Sequence, residues 1–240
     1  MRKLEELLLS PIEHLTELRK RLIIIAVVIL IGASVSFAYM DIIIELLLDP
    51  VQELDFIYLT PPELFLSYIK IALIVGVIVT SPIIFSQIWI FVKPGLEKKE
   101  KTYLVFSLFS GFFLFLLGAY FAYRIIIPLS IRFFVKFSMP SMNIEPNFSF
   151  GSYIGFISSI LLSFGIVFEL PILVTLLAKL NLITADTLRK YRKVSILVIF
   201  VGSAVFTPPD IISQLLLAGP MILLFEISIL LAALVNRKKK

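Results

Sequence analysis

The sequence predicts an all-α membrane protein of six transmembrane helices, with both termini cytoplasmic, kinked helices and two short last spans. Three observations carry this expectation. Hydrophobic residues make up 59% of the chain and charged ones 16%, with a mean hydropathy of +1.03; a water-facing surface cannot be built from such material. Uncharged runs cover 22–40, 71–92, 103–123 and 146–168, each near the ~20 residues a helix needs to cross the ~30 Å hydrocarbon core. Two shorter runs, 194–209 and 211–225, complete the six.

Charge sets the orientation. Of the 22 Lys and Arg, five precede the first run, four lie in 93–101, five in 179–193 and four in 237–240. Segment 41–63 instead holds six acids and no base. An excess of Lys and Arg marks the cytoplasmic side, so both ends lie inside and 41–63 outside. The stretch 124–149, with Arg124, Arg132 and Lys136 against Glu145, fits the pattern least well.

The elements follow in order. Ser10-Pro11-Ile12-Glu13 reads as a capping box with proline at the first helical position. The helix it opens carries an apolar stripe of Ile12, Leu15, Leu18 and Leu22, with Glu13 and Glu17 off that face. Residues 1–21 are therefore expected to form a cytoplasmic amphipathic helix partly in the membrane interface, ahead of a six-helix bundle over 22–236 and a basic tail over 237–240. A secretory signal fits less well, because the run 22–40 exceeds a typical h-region and lacks an A-x-A site. Segment 41–63 contains Pro50, Pro61 and Pro62 and reads as a structured outer loop with a short helix at 41–49. Pro82 and Pro171 each remove a backbone hydrogen bond and predict kinks in the second and fourth spans. The stretch 194–206 reaches only about 20 Å as a helix, too short for an average bilayer. There is no clear internal repeat, and the chain reads as one domain.

Several chemistries are excluded. The chain has no cysteine, so disulfides and thiolate metal sites are out. Its single histidine, His14, rules out an HExxH metalloprotease. No Asp pair, Ser–His set or zinc-ligand group of an intramembrane protease is present. No cofactor, metal, nucleic acid or enzymatic activity is expected, since the basic residues follow membrane topology.

Ionisable groups inside a membrane are expensive and usually face protein or a wet cavity. Glu169, in FGIVFELP, is the clearest case, either functional or simply hydrogen-bonded between helices. Lys70 lies near the outer end of the second span, where a lysine snorkels to the interface. Glu226, about ten residues before the tail, stays open between the two readings. Glu17 in HLTELRKRL and Glu100 in PGLEKKEK sit among bases at the cytoplasmic surface. The bland reading is a weak surface pair such as Glu17 with Arg21 at i+4; anchoring, however, requires no acids. A proton-coupled secondary transporter using Glu169 is the alternative function, although such folds show internal repeats and several midplane polar groups.

The ordered set HLTELRKRL, TPPELF, SPIIFSQIWIFVKPGLEKKE, FGIVFELP, FTPPDIISQ and FEIS resembles the TatC family, the multispanning subunit of the twin-arginine protein translocase. The resemblance spans about residues 10–235. It implies a core receptor that binds twin-arginine signal peptides of folded precursors at its cytoplasmic face, in a bacterial or archaeal cytoplasmic membrane. By similarity Glu17, Glu100 and Arg19 form the peptide-binding patch, and Glu169 lines a hydrated cavity. Gln214 with Pro208 and Asp210 would contact the single-span partners TatA and TatB, and self-association is implied as well. An arginine fork matches two carboxylate oxygens bidentately where a lysine does not, which agrees with two acids reading two arginines.

Overall fold

The computed structural model describes residues 2–51, 54–92, 98–138, 148–206 and 211–237, and the side chains of most of them. The first helix, α1, runs unbroken over Arg2–Ala38. The expected start at Ser10 is thereby corrected. Leu, Lys and Glu over 3–9 are strong helix formers, and the helix continues through Pro11 although its ring nitrogen has no N–H to donate to the preceding turn. Leu15 is 64% exposed and Leu22 55%, as befits a lipid-facing stripe.

α1 packs along α3, Pro61–Val92. Their backbones meet at Gly32 and Gly76: a Cβ on Gly76 would stand 2.7 Å from the Ala33 nitrogen, and one on Gly32 2.6 Å from Thr80 Cγ2. Small residues drive such packing in lipid, where apolar burial gives no preference between helix and tail. Hydroxyls at this crossing donate to their own helix, Thr80 to Gly76 O at 2.7 Å and Ser36 to Gly32 O at 2.8 Å. Pro82 leaves α3 continuous. The carbonyl of Ile78, which Pro82 has no N–H to meet, accepts a bond from the buried Ser81 hydroxyl at 2.6 Å.

Between these helices lies α2, Met40–Leu48, followed by a 3₁₀ turn over Asp49–Val51. This agrees with the short helix expected at 41–49. α4 spans Lys98–Phe121, passes through one π turn over Ala122–Ile126 and continues as α5, Ile127–Ser138. The π turn immediately precedes Pro128, where a regular helix would lose a bond. The third run therefore does not end at its first charge; Arg124, Arg132 and Lys136 all lie on helix.

α6, Phe150–Val167, is the central helix; Ile154, Ile160 and Phe164 are each 1% exposed. It breaks at Phe168–Glu169, and α7, Leu170–Lys179, restarts with Pro171 in its first turn. The predicted kink is a full interruption there. Asn181, at φ 60°, ends α7, and Leu182 N donates to Leu177 O at 3.0 Å, a Schellman closure. α8, Ala185–Lys190, is capped by Thr184. α9, Arg192–Phe206, has 15 residues, roughly 22 Å of helix.

The last helix, α10, runs Ile211–Arg237 with 27 residues, so the expectation of a short sixth span is overturned. The uncharged run stopped at Glu226, but that carboxylate accepts from Arg192 Nη2 at 2.8 Å across the α9–α10 pair, and the helix continues through it. Among the described residues, five helices are long and apolar enough to cross a membrane: Glu13–Ala38, Pro61–Val92, Thr102–Lys136, Phe150–Lys179 and Gln214–Asn236. α9 falls short of that length.

The end of the bundle reached after α1 is tied by long-range polar contacts. Two-residue strands β1, Phe56–Ile57, and β2, Phe148–Ser149, pair in parallel. Glu63 on α3 accepts from Leu59 N at 2.8 Å, Gly151 N at 2.9 Å and the Ser149 hydroxyl. Tyr123 and Tyr153 donate to the carbonyls of Leu46 and Leu47 at 2.6 and 3.0 Å, holding α2 to the core.

Candidate functional site

The opposite end of the bundle carries the acids that the sequence singles out. Glu17 lies on α1, half-buried, with Oε1 3.0 Å from Arg21 Nη2. Arg21 in turn donates from Nη1 to Gln87 Oε1 on α3 at 3.3 Å. One turn before Glu17, the His14 ring stacks on Phe91 at 4.5 Å between centroids. The bland i+4 pair is therefore real, and it does more than neutralise charge: Arg21 links Glu17 to α3. The second carboxylate oxygen of Glu17, Oε2, makes no hydrogen bond among the described residues, and Arg19 is exposed nearby on α1.

Glu100 falls in the first turn of α4, and its side chain lies outside the described residues. The backbone places it at the same end of the bundle as Glu17, since α4 packs beside α3 and Lys179, at the foot of α7, stands 3.7 Å over the Tyr103 ring.

Glu169 occupies the turn between α6 and α7, directed at α4. A Cβ on Gly111 would stand 2.6 Å from Glu169 Oε2 and 3.2 Å from Phe85 Cε1, so glycine is what leaves room for the carboxylate. Its Oε1 is buried without a hydrogen-bond partner among the described residues. A buried polar atom without a partner calls for a proton, a water or a ligand donor. Around it, Phe85 meets Phe112 at 6.4 Å and Phe115 at 6.2 Å. Next to this cluster a groove of about 390 Å³ runs between α3 and α4, lined by residues that include Pro82, Phe85, Trp89, Phe109 and Phe112.

Gln214 sits in the first turns of α10, and its Nε2 donates to the carbonyl of Phe200 on α9 at 2.9 Å. Part of its polarity thus joins two helices of this chain. Pro208 and Asp210 lie outside the described residues.

Sequence reasoning missed Gln87, Gly111, Glu63 and the Arg192–Glu226 pair. Gly111 had a readable signal, an isolated glycine within an otherwise bulky helix, SGFF. The Glu63–Ser149 contact spans 86 residues and had none.

The family described as TatC, Sec-independent protein translocase protein, matches residues 13–220. The chain is 40% identical to the Sec-independent protein translocase protein TatC of Aquifex aeolicus, over 95% of this chain and 96% of that one. With that of Carboxydothermus hydrogenoformans it shares 39% identity over 98% of each. A crystal structure described as the twin arginine translocase receptor TatC superposes with a TM-score of 0.84 at 38% identity, covering 93% of this chain and 100% of that one.

Proposed function

The chain belongs to the TatC family of protein translocase proteins, a multi-pass membrane protein and a transport subunit rather than a known enzyme, and we propose that it is the receptor that reads twin-arginine signal peptides of folded precursors. The reading places six crossings with both termini inside, in the cytoplasmic membrane of a bacterium or archaeon. The observation that carries it is the Glu17 carboxylate, half-exposed, with one oxygen bound to Arg21 and the other without a hydrogen bond among the described residues. An incoming guanidinium meets that second oxygen and exchanges with Arg21, while Glu100 on α4 takes the second arginine of the pair; Arg19 belongs to the same binding patch, and the surrounding lysines repel misplaced positive charge. A charge-assisted bidentate contact of this kind contributes roughly 1.5–3 kcal/mol, against at most ~1 for a solvated pair.

In the same reading the orphaned Glu169 oxygen faces the translocation path, and α9, shorter than the bilayer, thins the membrane around it. The α9–α10 pair then offers the polar end at Gln214, Pro208 and Asp210 to TatA- and TatB-type single-span helices, and copies of the chain associate with one another. Because Gln214 also binds Phe200 O, Gln214→Leu is expected to weaken both partner co-purification and the α9–α10 contact.

Photo-cross-linking to the chain from a probe placed beside the twin position of peptides carrying RR or KK tests the central claim. The parent is expected to capture RR peptides in preference to KK. Glu17→Gln and Glu100→Gln are each expected to lower RR affinity about tenfold or more, since ~1.4 kcal/mol is a factor of ten, and to erase the preference. Variants that still discriminate like the parent would overturn the assignment.

A further inference from the structure

Besides Lys70, the end of the bundle opposite Glu17 carries three bases, Arg124, Arg132 and Lys136, where segment charge otherwise follows the positive-inside pattern. Such bases oppose the orientation they sit in, so their positions are informative. Arg124 is 3.8 Å from Asp49 and is accounted for as an ion pair. Arg132 and Lys136 are exposed, one turn apart on α5, and have no carboxylate partner among the described residues. Both line a single cavity of about 530 Å³ formed where α5 faces the 3₁₀ turn that follows α2. The cavity is amphiphilic. Its floor is Val51, Leu54, Ile131 and Val135; its rim is the two cations, with Asp49 on the far wall already held by Arg124.

The continuous stretch Thr102–Lys136 has 35 residues, about 52 Å of helix, against a hydrocarbon core of ~30 Å, so it extends past the hydrocarbon. Arg124 is the first charge after the uncharged run, and α5 follows it. Two bases at i and i+4 over an apolar floor match a group with negative charge on one side and acyl chains on the other.

We propose that this cavity is a binding site for an anionic membrane phospholipid, its phosphate held by Arg132 and Lys136 and its acyl-glycerol portion lying on Ile131, Val135 and Leu54. The arginine fork takes two phosphate oxygens and the lysine adds a point charge. Lipid capture here clamps α5 to the turn at Asp49–Val51 from the membrane side, reinforcing the tyrosine contacts of the same end. Which leaflet supplies the lipid rests on the topology proposed above; the binding itself does not.

Native mass spectrometry of the purified full chain in detergent tests the site, with dioleoyl phosphatidylglycerol, dioleoyl phosphatidylcholine and inorganic phosphate as probes. Phosphatidylglycerol is expected to be retained over phosphatidylcholine. Arg132→Gln/Lys136→Gln together should weaken its retention about tenfold or more, from about 1 kcal/mol for each base. The charge-keeping swap Arg132→Lys/Lys136→Arg should retain lipid, and so should Lys70→Gln, which removes an exposed base elsewhere on the same end. Unchanged retention in the double Gln variant would overturn the site, as would equal loss in Lys70→Gln or equal binding of phosphatidylcholine. Loss in the charge-keeping swap would show a packing role instead. Displacement of the lipid by millimolar inorganic phosphate would reassign the cavity to a soluble anion.

Discussion

Gly111 on α4 faces the Glu169 carboxylate across the helix boundary, so closely that a Cβ at 111 would stand 2.6 Å from Oε2. The pair converts an isolated glycine into a determinant of where a buried acid points. Gly111→Ala favours the helix itself by about 1 kcal/mol yet forces the carboxylate aside. Export of a twin-arginine reporter is expected to fall at unchanged protein level. The same change at Gly219, where nothing lies within 4 Å, should leave export intact. In a Glu169→Ala background, Gly111→Ala should add little, since both act on one contact.

Arg21 separates the two roles of Glu17. Arg21→Gln removes the guanidinium that occupies Glu17 Oε1 at 3.0 Å. If an incoming arginine exchanges with Arg21, peptide affinity should be kept or raised, while Glu17→Gln loses it. Parallel titrations of RR peptide against both variants check this; equal loss in the two would make Glu17 only a partner of Arg21.

Gly76→Ala should cost more than a glycine substitution in open space. Its Cβ would stand 2.7 Å from the Ala33 nitrogen, and backbone cannot swing away as a side chain can. About 1–3 kcal/mol of destabilisation is expected from such overpacking. Thermal unfolding in detergent, with Gly219→Ala alongside, reads the difference.

Arg192 and Glu226 should be energetically coupled. At 2.8 Å they join α9 to α10, but with side chains 47% and 38% exposed the coupling is expected at no more than about 1 kcal/mol. A double-mutant cycle with Arg192→Gln and Glu226→Gln measures it. Additive losses would mean that Glu226 is held by its surroundings alone.

The chain has no cysteine, so single introduced cysteines report topology directly. Residues 45 and 55 are expected to label from outside, and 98 and 190 only after the cytoplasmic side is opened. Outside labelling at 190 would overturn the six-crossing layout.

Composition and charge by themselves determined that this is a helical membrane protein and gave its expected orientation, because hydrocarbon leaves no alternative to satisfying each backbone group within a helix. Sequence order likewise carried the family resemblance, since the motifs from HLTELRKRL to FEIS are local strings. Helix ends were decided elsewhere. Arg124 ended an uncharged run without ending its helix, and Glu226 likewise, because a charge is tolerated once a neighbouring helix supplies Arg192 or the segment has reached the interface. The same holds within the site. Glu17 and Glu169 were legible as charges out of place, and Arg19 through the family resemblance, whereas Gln87 beneath Arg21 and Gly111 beneath Glu169 were not. Their roles come from distance in space between residues far apart in sequence, and only helix packing, through close contacts such as that between Gly32 and Gly76, establishes those distances.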